Sequence, residues 1–309
     1  MSKQSDAPDL SVEIAGVRLR NPVIAASGTF GYGREYAKLI DVSRLGGICT
    51  KGLTMAPRPG NSGVRLWETD LGLLNSIGLE NPGIPAFIRD ELPHMTALGP
   101  AIIANLSGSA VDEYAEGAAL LDESPVDMVE LNISCPNVKE GGMAFGLWPE
   151  AATAVVSKVR TALKSKPLMV KLSPNASDIP AVAKACLSAG ADAFSLVNTF
   201  SAMAIDVKKR RPAFDNVTAG LSGPAIRPLA IRMVWELCGE LGPGVPVVGM
   251  GGIARTEDAL EFMMVGAWAV QVGTATFARP GTMIEVIDGI GAYMREAGAA
   301  GVADIRLRR

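Results

Sequence analysis

The stretch VPVVGMGGIARTED, Val245 to Asp258, runs from a short apolar segment through a glycine pair into a segment of helical period, and AVQVGTATFARPGT, Ala269 to Thr282, repeats the design. An apolar run without polar alternation suits a parallel strand buried on both faces. Six earlier runs share this character: NPVIAAS (Asn21 to Ser27), GGICTKG (Gly46 to Gly52), AIIANLSG (Ala101 to Gly108), MVELNISCPN (Met128 to Asn137), PLMVKLSP (Pro167 to Pro174) and AFSLVNT (Ala193 to Thr199). Helix-period segments such as VDEYAEGAALL, PEAATAVVSKVRTAL, SDIPAVAKACLSAGA and GPAIRPLAIRMVWELCGEL separate them. Eight strands alternating with helices predict an α/β fold, the closed (β/α)8 TIM barrel. The opening LSVEIAGVRLRNP alternates as a hairpin and is expected to plug the bottom of the barrel. No repeat, linker or low-complexity tract interrupts the pattern, so residues 1–309 are expected to form one barrel domain.

In the quoted stretches the glycines stand just before helices, the first with Thr256 as its expected N-cap. Backbone N–H groups and a helix dipole can there face an anion, and strands seven and eight of such barrels often hold a phosphate.

The bulk numbers agree with a buried globule: 48% hydrophobic, 20% charged, mean hydropathy +0.25. With a net charge of −3 and a pI near 5.4, no positive field exists to hold nucleic acid or an anionic membrane. The N-terminal residues lack the apolar core of a signal peptide, and no run of about 18 apolar residues follows, so a cytoplasmic protein is expected. Four cysteines, Cys49, Cys135, Cys186 and Cys238, stand too far apart for a zinc or iron–sulfur ligand set, and no metal is expected. The one histidine, His94, lies in the turn-like stretch ELPHMTALGP and is not read as a catalytic group.

Active sites of these barrels gather at the C-terminal strand ends. Here those ends carry Ser27, Lys51, Asn105, Asn132 with Cys135, Lys171, Asn198 with Thr199, Gly251 with Gly252, and Gly273 with Thr274. Eight polar or glycine rims converging on one mouth favour a cofactor site over ordinary strand-end hydrogen bonding. Cys135 is the only cysteine at a strand exit, in NISCPNVKEGGMAFG, a Gly-rich stretch read as a lid; the other three are read as small buried hydrophobes. A thiolate there can act as general base toward a C–H beside a carbonyl. Asn75, Asn105, Asn132, Asn137 and Asn198 each offer a donor and an acceptor, matching a cyclic amide or ureide. Lys51 and Lys171 sit inside apolar strands, where an unpaired ammonium is costly, and are assigned to a substrate carboxylate or to the negative charge of a reduced cofactor.

NPVIAASGTFGYGREY, TKGLTMAPRPGN, LLNSIGLENPG, ELNISCPNVKEGGMAFG, VKLSPN, NVTAGLSGPAIRP, GMGGI and AVQVGTA together resemble class 1 dihydroorotate dehydrogenase, and NVKEGGMAFG is similar to the class 1B catalytic subunit. The resemblance runs from about Leu10 to about Gly298. It implies oxidation of dihydroorotate to orotate in pyrimidine biosynthesis, the proton going to Cys135 and the hydride to FMN. Substrate contacts are implied at Lys51, Asn75, Ser76, Ile77, Gly78, Leu79, Asn132, Asn198 and Thr199, with Asn137 added. Flavin contacts are implied at Ser27, Lys51, Gly52, Asn105, Asn132, Lys171, Val197, Gly223, Gly251, Gly252, Gly273 and Thr274.

Class 1B enzymes pair with a subunit carrying FAD and an iron–sulfur cluster that passes electrons to NAD. This chain lacks the thiolates for a cluster and a GxGxxG dinucleotide fingerprint, so a partner must supply that relay. A homodimer core within a heterotetramer is the assembly implied. Two rivals stay open: a class 1A homodimer reducing fumarate, and a barrel binding a phosphorylated ligand without redox chemistry. The stretch Thr199 to Gly223, with KKRR at Lys208 to Arg211, is long for a loop, and is read either as a solvated charge run or as a docking contact or lid.

Overall fold

A computed structural model describes residues 8–134 and 145–307. Eight parallel strands close into a barrel: β1 (Val23–Ala25), β2 (Gly47–Cys49), β3 (Ala101–Leu106), β4 (Met128–Asn132), β5 (Leu168–Lys171), β6 (Ala193–Leu196), β7 (Val247–Met250) and β8 (Ala269–Val272). Each pairs with its neighbour in chain order and β8 returns to β1, with Val270 opposite Val23. All eight expected strands are therefore present, and in the expected order.

The period-two alternation of a strand sorts these residues into two packing layers. Val23, Ile48, Val129, Val170, Phe194 and Val270 face outward into the large core shared with the helices. Ile24, Ile103, Met128, Met169, Val248 and Ala269 face inward and fill the barrel's lower end. The N-terminal hairpin, Val12–Ile14 with Val17–Leu19, turns through Ala15 and Gly16, both at positive φ, as a two-residue hairpin turn of right-handed twist requires. It lays Ile14 and Leu19, each 1% exposed, against that inward layer. Burying such a side chain contributes about 1.5–3 kcal/mol, and the plug expected from the sequence is in place.

Five helices follow the expected segments, Val111–Asp122, Pro149–Ala162, Ile179–Ser188, Arg227–Leu241 and Thr256–Met264, and a further helix, Thr282–Ala297, was not anticipated. Two expectations need correction. Thr256 is the first helical residue and Arg255 its N-cap; the Asp258 carboxylate reaches back to accept from the N–H groups of Ala254 (2.9 Å) and Arg255 (3.2 Å). His94 lies on the helix Leu92–Leu98 instead of in a turn, and its Nε2 is buried without a hydrogen-bond partner.

The stretch read as a long loop is also ordered differently. Phe200–Met203 and Thr218–Ser222 are strands of a four-stranded antiparallel sheet completed by Gly72–Asn75 and Leu66–Thr69. Its backbone polar groups are satisfied by this pairing, and Leu74, Ala213, Phe214 and Ala219 give it a small core of its own. Lys208 to Arg210 of the KKRR run lie on a short turn between Ile205–Asp206 and Arg211–Pro212, with Arg211 opening the second strand; all four are exposed to solvent, and Lys209 pairs with Asp206.

Candidate functional site

The ends of β3, β4 and β6 bring the expected asparagines into one hydrogen-bonded set. Asn132 donates through Nδ2 to Asn105 Oδ1 at 3.4 Å, and its own Oδ1 accepts from the Ser134 hydroxyl at 2.7 Å and the Ser134 N–H at 3.2 Å. Asn198 donates to Ser134 Oγ at 2.5 Å and accepts from the Thr199 N–H at 2.8 Å. The main chain at the head of this set is fixed from outside the barrel, where the Tyr114 hydroxyl donates to the carbonyl of Asn132 at 3.0 Å.

The antiparallel sheet roofs this set. Asn75, at the end of its strand, donates to the Gly220 carbonyl at 3.1 Å, and a side chain at Gly220 would collide with Thr199 Oγ1, so Asn75 and Thr199 meet over one residue. The following turn places Gly78 and Leu79 at positive φ and swings Leu79 onto Gly52, where an added Cβ would stand 2.9 Å from Leu79 and 3.2 Å from Asn105 Oδ1. Ser76 is held by the amides of Asn61 (3.0 Å) and Asn216 (3.3 Å), and the Ile77 carbonyl accepts from the Asn61 N–H. Asn61 and Asn216 were not anticipated.

Across the mouth, β7 and β8 form a concave backbone surface. Gly252 has φ +77, and a Cβ there would lie 2.7 Å from the Gly223 carbonyl and 2.9 Å from Arg227 Cβ. Only glycine fits such a position. Gly251 packs against Val197, Gly223 (φ +98) lies on Gly72, and Gly273 faces Ala26 and Thr29. Thr274 donates to Ser222 Oγ at 2.8 Å, joining β8 to the roof. Behind the loop, the buried Asp258 pairs with Arg227. Ser27 follows β1 on the same rim, half-exposed.

Two lysines complete the charge pattern. Lys171 is 5% exposed and stands beside Asn132 in the register of β4 and β5, and its ammonium hydrogen-bonds no described residue. Lys51 is half-buried; burial pushes its pKa down, opposed by Glu80 and reinforced by Arg65. A lysine side chain buried on one wall of the mouth, facing a backbone cradle whose Gly252 tolerates no Cβ, fits an anionic group carrying a phosphate.

Below this mouth is a feature that sequence reading missed. Glu130, fully buried in β4, accepts from Asn105 Nδ2 (2.5 Å) and Cys49 Sγ (3.1 Å) on one oxygen, and from Ser195 Oγ and Gln271 Nε2 (2.7 Å each) on the other. Burial alone would raise its pKa, but the Lys171 charge and the hydrogen bonds outweigh burial and hold it below the usual carboxylate range. Cys49 is not merely a small hydrophobe, because it donates to this carboxylate; burial and the Glu130 charge push its thiol well up. Cys186 is buried as expected and pushed up to about 12 by burial, whereas Cys238 is half-buried. The available signal was one polar residue in the middle of each of the apolar runs VELN, AFSL and AVQV.

Cys135 and Asn137 lie outside the described residues, as does most of the Gly-rich stretch expected to form a lid. Ser134, the neighbour of Cys135 in the sequence, is in the hydrogen-bonded set, and Gly146 lies against the Ile133 carbonyl. Among the described residues no group of three or more side chains could hold a metal, and no helix is long and apolar enough to cross a membrane.

The family model described as dihydroorotate dehydrogenase matches residues 9–294. A protein of Petrotoga mobilis named dihydroorotate dehydrogenase B (NAD(+)), catalytic subunit, is 54% identical over 298 residues, spanning 96% of this chain and 98% of its own length. Proteins of the same name from Geotalea uraniireducens (52%, 96% of this chain and 97% of that protein) and Caldicellulosiruptor bescii (51%, 96% and 98%) are similar to the same extent.

Proposed function

Because the chain belongs to the dihydroorotate dehydrogenase family, we propose that it oxidises dihydroorotate to orotate in pyrimidine biosynthesis, as the catalytic subunit of an NAD-linked enzyme. The observation that carries this reading is the juxtaposition of the asparagine set, Asn105, Asn132 and Asn198, with the buried ammonium of Lys171 and the glycine cradle.

FMN, when bound, supplies the hydride acceptor. The residues that would hold it are Ser27, Lys51, Gly52, Asn105, Asn132, Lys171, Val197, Gly223, Gly251, Gly252, Gly273 and Thr274, with the phosphate at the cradle of β7 and β8. Lys171 would supply positive charge to stabilise the negative charge that the bound flavin gains on reduction. Asn75 through Leu79, Asn132, Asn137, Asn198 and Thr199 bind the ring by donor–acceptor pairs, and Lys51 takes the carboxylate. Cys135, as thiolate, accepts the proton from the ring carbon beside the carbonyl as the carbon bearing the carboxylate loses its hydride. Two electrons and one proton leave dihydroorotate with that hydride and one proton goes to the thiolate, so the balance closes on orotate.

Electrons leave through a partner subunit, since the described cysteines are scattered and none pairs with another as a cluster ligand set. That partner would carry FAD and an iron–sulfur cluster, around a homodimer of this chain in a heterotetramer, in the cytoplasm. Residues 1–309 act as one barrel domain. Changing Cys135 to Ala tests the assignment: FMN should remain bound while turnover falls by about 10²-fold or more, the scale of a lost general base. Full activity in that variant removes the cysteine from the mechanism.

A further inference from the structure

The middle layer of the barrel is the unexplained part of the molecule. Interiors of such barrels are filled mainly by branched apolar side chains. Here the layer between the apolar bottom and the mouth is polar and centred on Glu130, whose two oxygens accept from four different strands. Burying a carboxylate costs several kcal/mol unless it is paired and fully hydrogen-bonded, so a role beyond packing is indicated.

A carboxylate only accepts hydrogen bonds, whereas an asparagine amide can present either end. Glu130 therefore obliges Asn105 to turn its nitrogen into the core and its carbonyl toward the mouth. That carbonyl accepts from Asn132 Nδ2, which leaves Asn132 Oδ1 to accept from Ser134, whose oxygen accepts from Asn198 Nδ2. Every amide in the chain points its nitrogen toward Glu130 and its carbonyl away; the backbone N–H groups of Ser134 and Thr199 hold the carbonyls of Asn132 and Asn198 in this sense, and Glu130 alone sets that of Asn105, on which Asn132 rests. Lys171 lies next to the chain, paired in register with Asn132 and, on its other side, with Ser195, itself a donor to Glu130.

We infer that Glu130 is a positioning residue that sets the donor and acceptor polarity of Asn105, gives Asn132 the acceptor its amide nitrogen meets, and so fixes which edge of a cyclic amide this part of the mouth accepts. This deepens the functional reading above and rests on it for the ligand. Glu130 itself touches no reacting atom; it acts through Asn105.

The test is a double-mutant cycle on the FMN-loaded protein, with orotate as probe, read by perturbation of the flavin spectrum. Glu130→Gln lets Asn105 adopt either orientation, and Asn105→Asp sets two acceptors against each other. Each should weaken orotate binding about tenfold, the scale of one hydrogen bond to a charged group. The double variant Glu130→Gln, Asn105→Asp restores one donor facing one acceptor with the roles exchanged. The second carboxylate oxygen at position 105 is then left to accept from Asn132, and affinity should recover to within about threefold of the parent. A merely structural role predicts no such recovery.

A ligand-free readout accompanies it: the side-chain amide signals of Asn132, whose nitrogen bonds Asn105 directly, in a ¹⁵N correlation spectrum, which should move in Glu130→Gln and return toward their parent positions in the double variant. Unmoved amide signals, parent-like orotate affinity in Glu130→Gln, or losses that simply add in the double variant each overturn the proposal. A parent protein that binds neither FMN nor orotate overturns the functional reading instead, and the amide signals still decide the role of Glu130.

Discussion

The side chain of Asn198, beyond β6, donates to Ser134 Oγ across 2.5 Å, so the exit of β4 and the exit of β6 are tied together at the residue that precedes Cys135 in the sequence. The tie spans two strands that do not pair directly, and it holds one wall of the mouth in a single arrangement. Replacing Ser134 with Ala leaves the Asn198 amide nitrogen without its acceptor and Asn132 Oδ1 without the hydroxyl that donates to it. Orotate affinity should fall about tenfold, the scale of one or two hydrogen bonds, with FMN content unchanged. Spectral titration against the parent protein checks both.

The cradle at β7 predicts a different loss. Gly252→Ala places a Cβ 2.7 Å from the Gly223 carbonyl at φ +77, where an L-residue is already strained. The loop must shift, and the N–H groups that would face the phosphate shift with it. The purified variant should carry FMN at well below the parent's ratio of flavin to protein, and recover only part of it on reconstitution. A ratio equal to the parent's would place the phosphate elsewhere.

Lys51 gives the pH dependence. Burial lowers its pKa from the usual lysine range, with Glu80 and Arg65 acting in opposite senses. A lysine whose folded pKa lies below its unfolded one loses its proton first in the native state, so the free protein gains stability as pH rises between the two values. A bound carboxylate needs the protonated form. Orotate affinity should thus fall as pH rises through this lowered pKa, at a pH where an ordinary lysine is still charged, and Lys51→Gln should flatten the profile while weakening binding by about tenfold or more. Dissociation constants across the alkaline range test it.

Much of this was legible in the sequence. Eight apolar runs became eight barrel strands, because a strand buried on both faces has no polar alternation to confuse with a helix. The polar strand ends were legible because a mouth must be lined by them, and Asn105, Asn132, Asn198, Lys51 and Lys171 are all found there. Three things were not. The strands Phe200–Met203 and Thr218–Ser222 join a sheet with Gly72–Asn75, more than a hundred residues away, and their sequences carry no strong pattern of their own. The first turn of Thr256–Met264 is capped by Asp258 reaching backward, so the sequence pattern puts the N-cap one residue too late, at Thr256. Glu130 was hidden inside the run that marked its strand, since its partners Cys49, Asn105, Ser195 and Gln271 meet only when the barrel closes.

The plug separates stability from activity. Ile14 is 1% exposed and packs on the inward layer at the end of the barrel opposite the mouth. Ile14→Ala should lower unfolding stability by about 2–5 kcal/mol, the range for emptying a buried aliphatic site. The flavin spectrum and orotate affinity should stay as in the parent, and chemical denaturation beside spectral titration distinguishes the two effects.

The account stands on a mouth that removes a hydride from dihydroorotate and delivers it to a bound flavin. Anaerobic addition of dihydroorotate to the purified FMN-loaded chain, without any partner, measures that step alone. Bleaching of the flavin absorbance in proportion to added dihydroorotate is the predicted result; a protein that holds FMN and keeps its colour in excess dihydroorotate would contradict it.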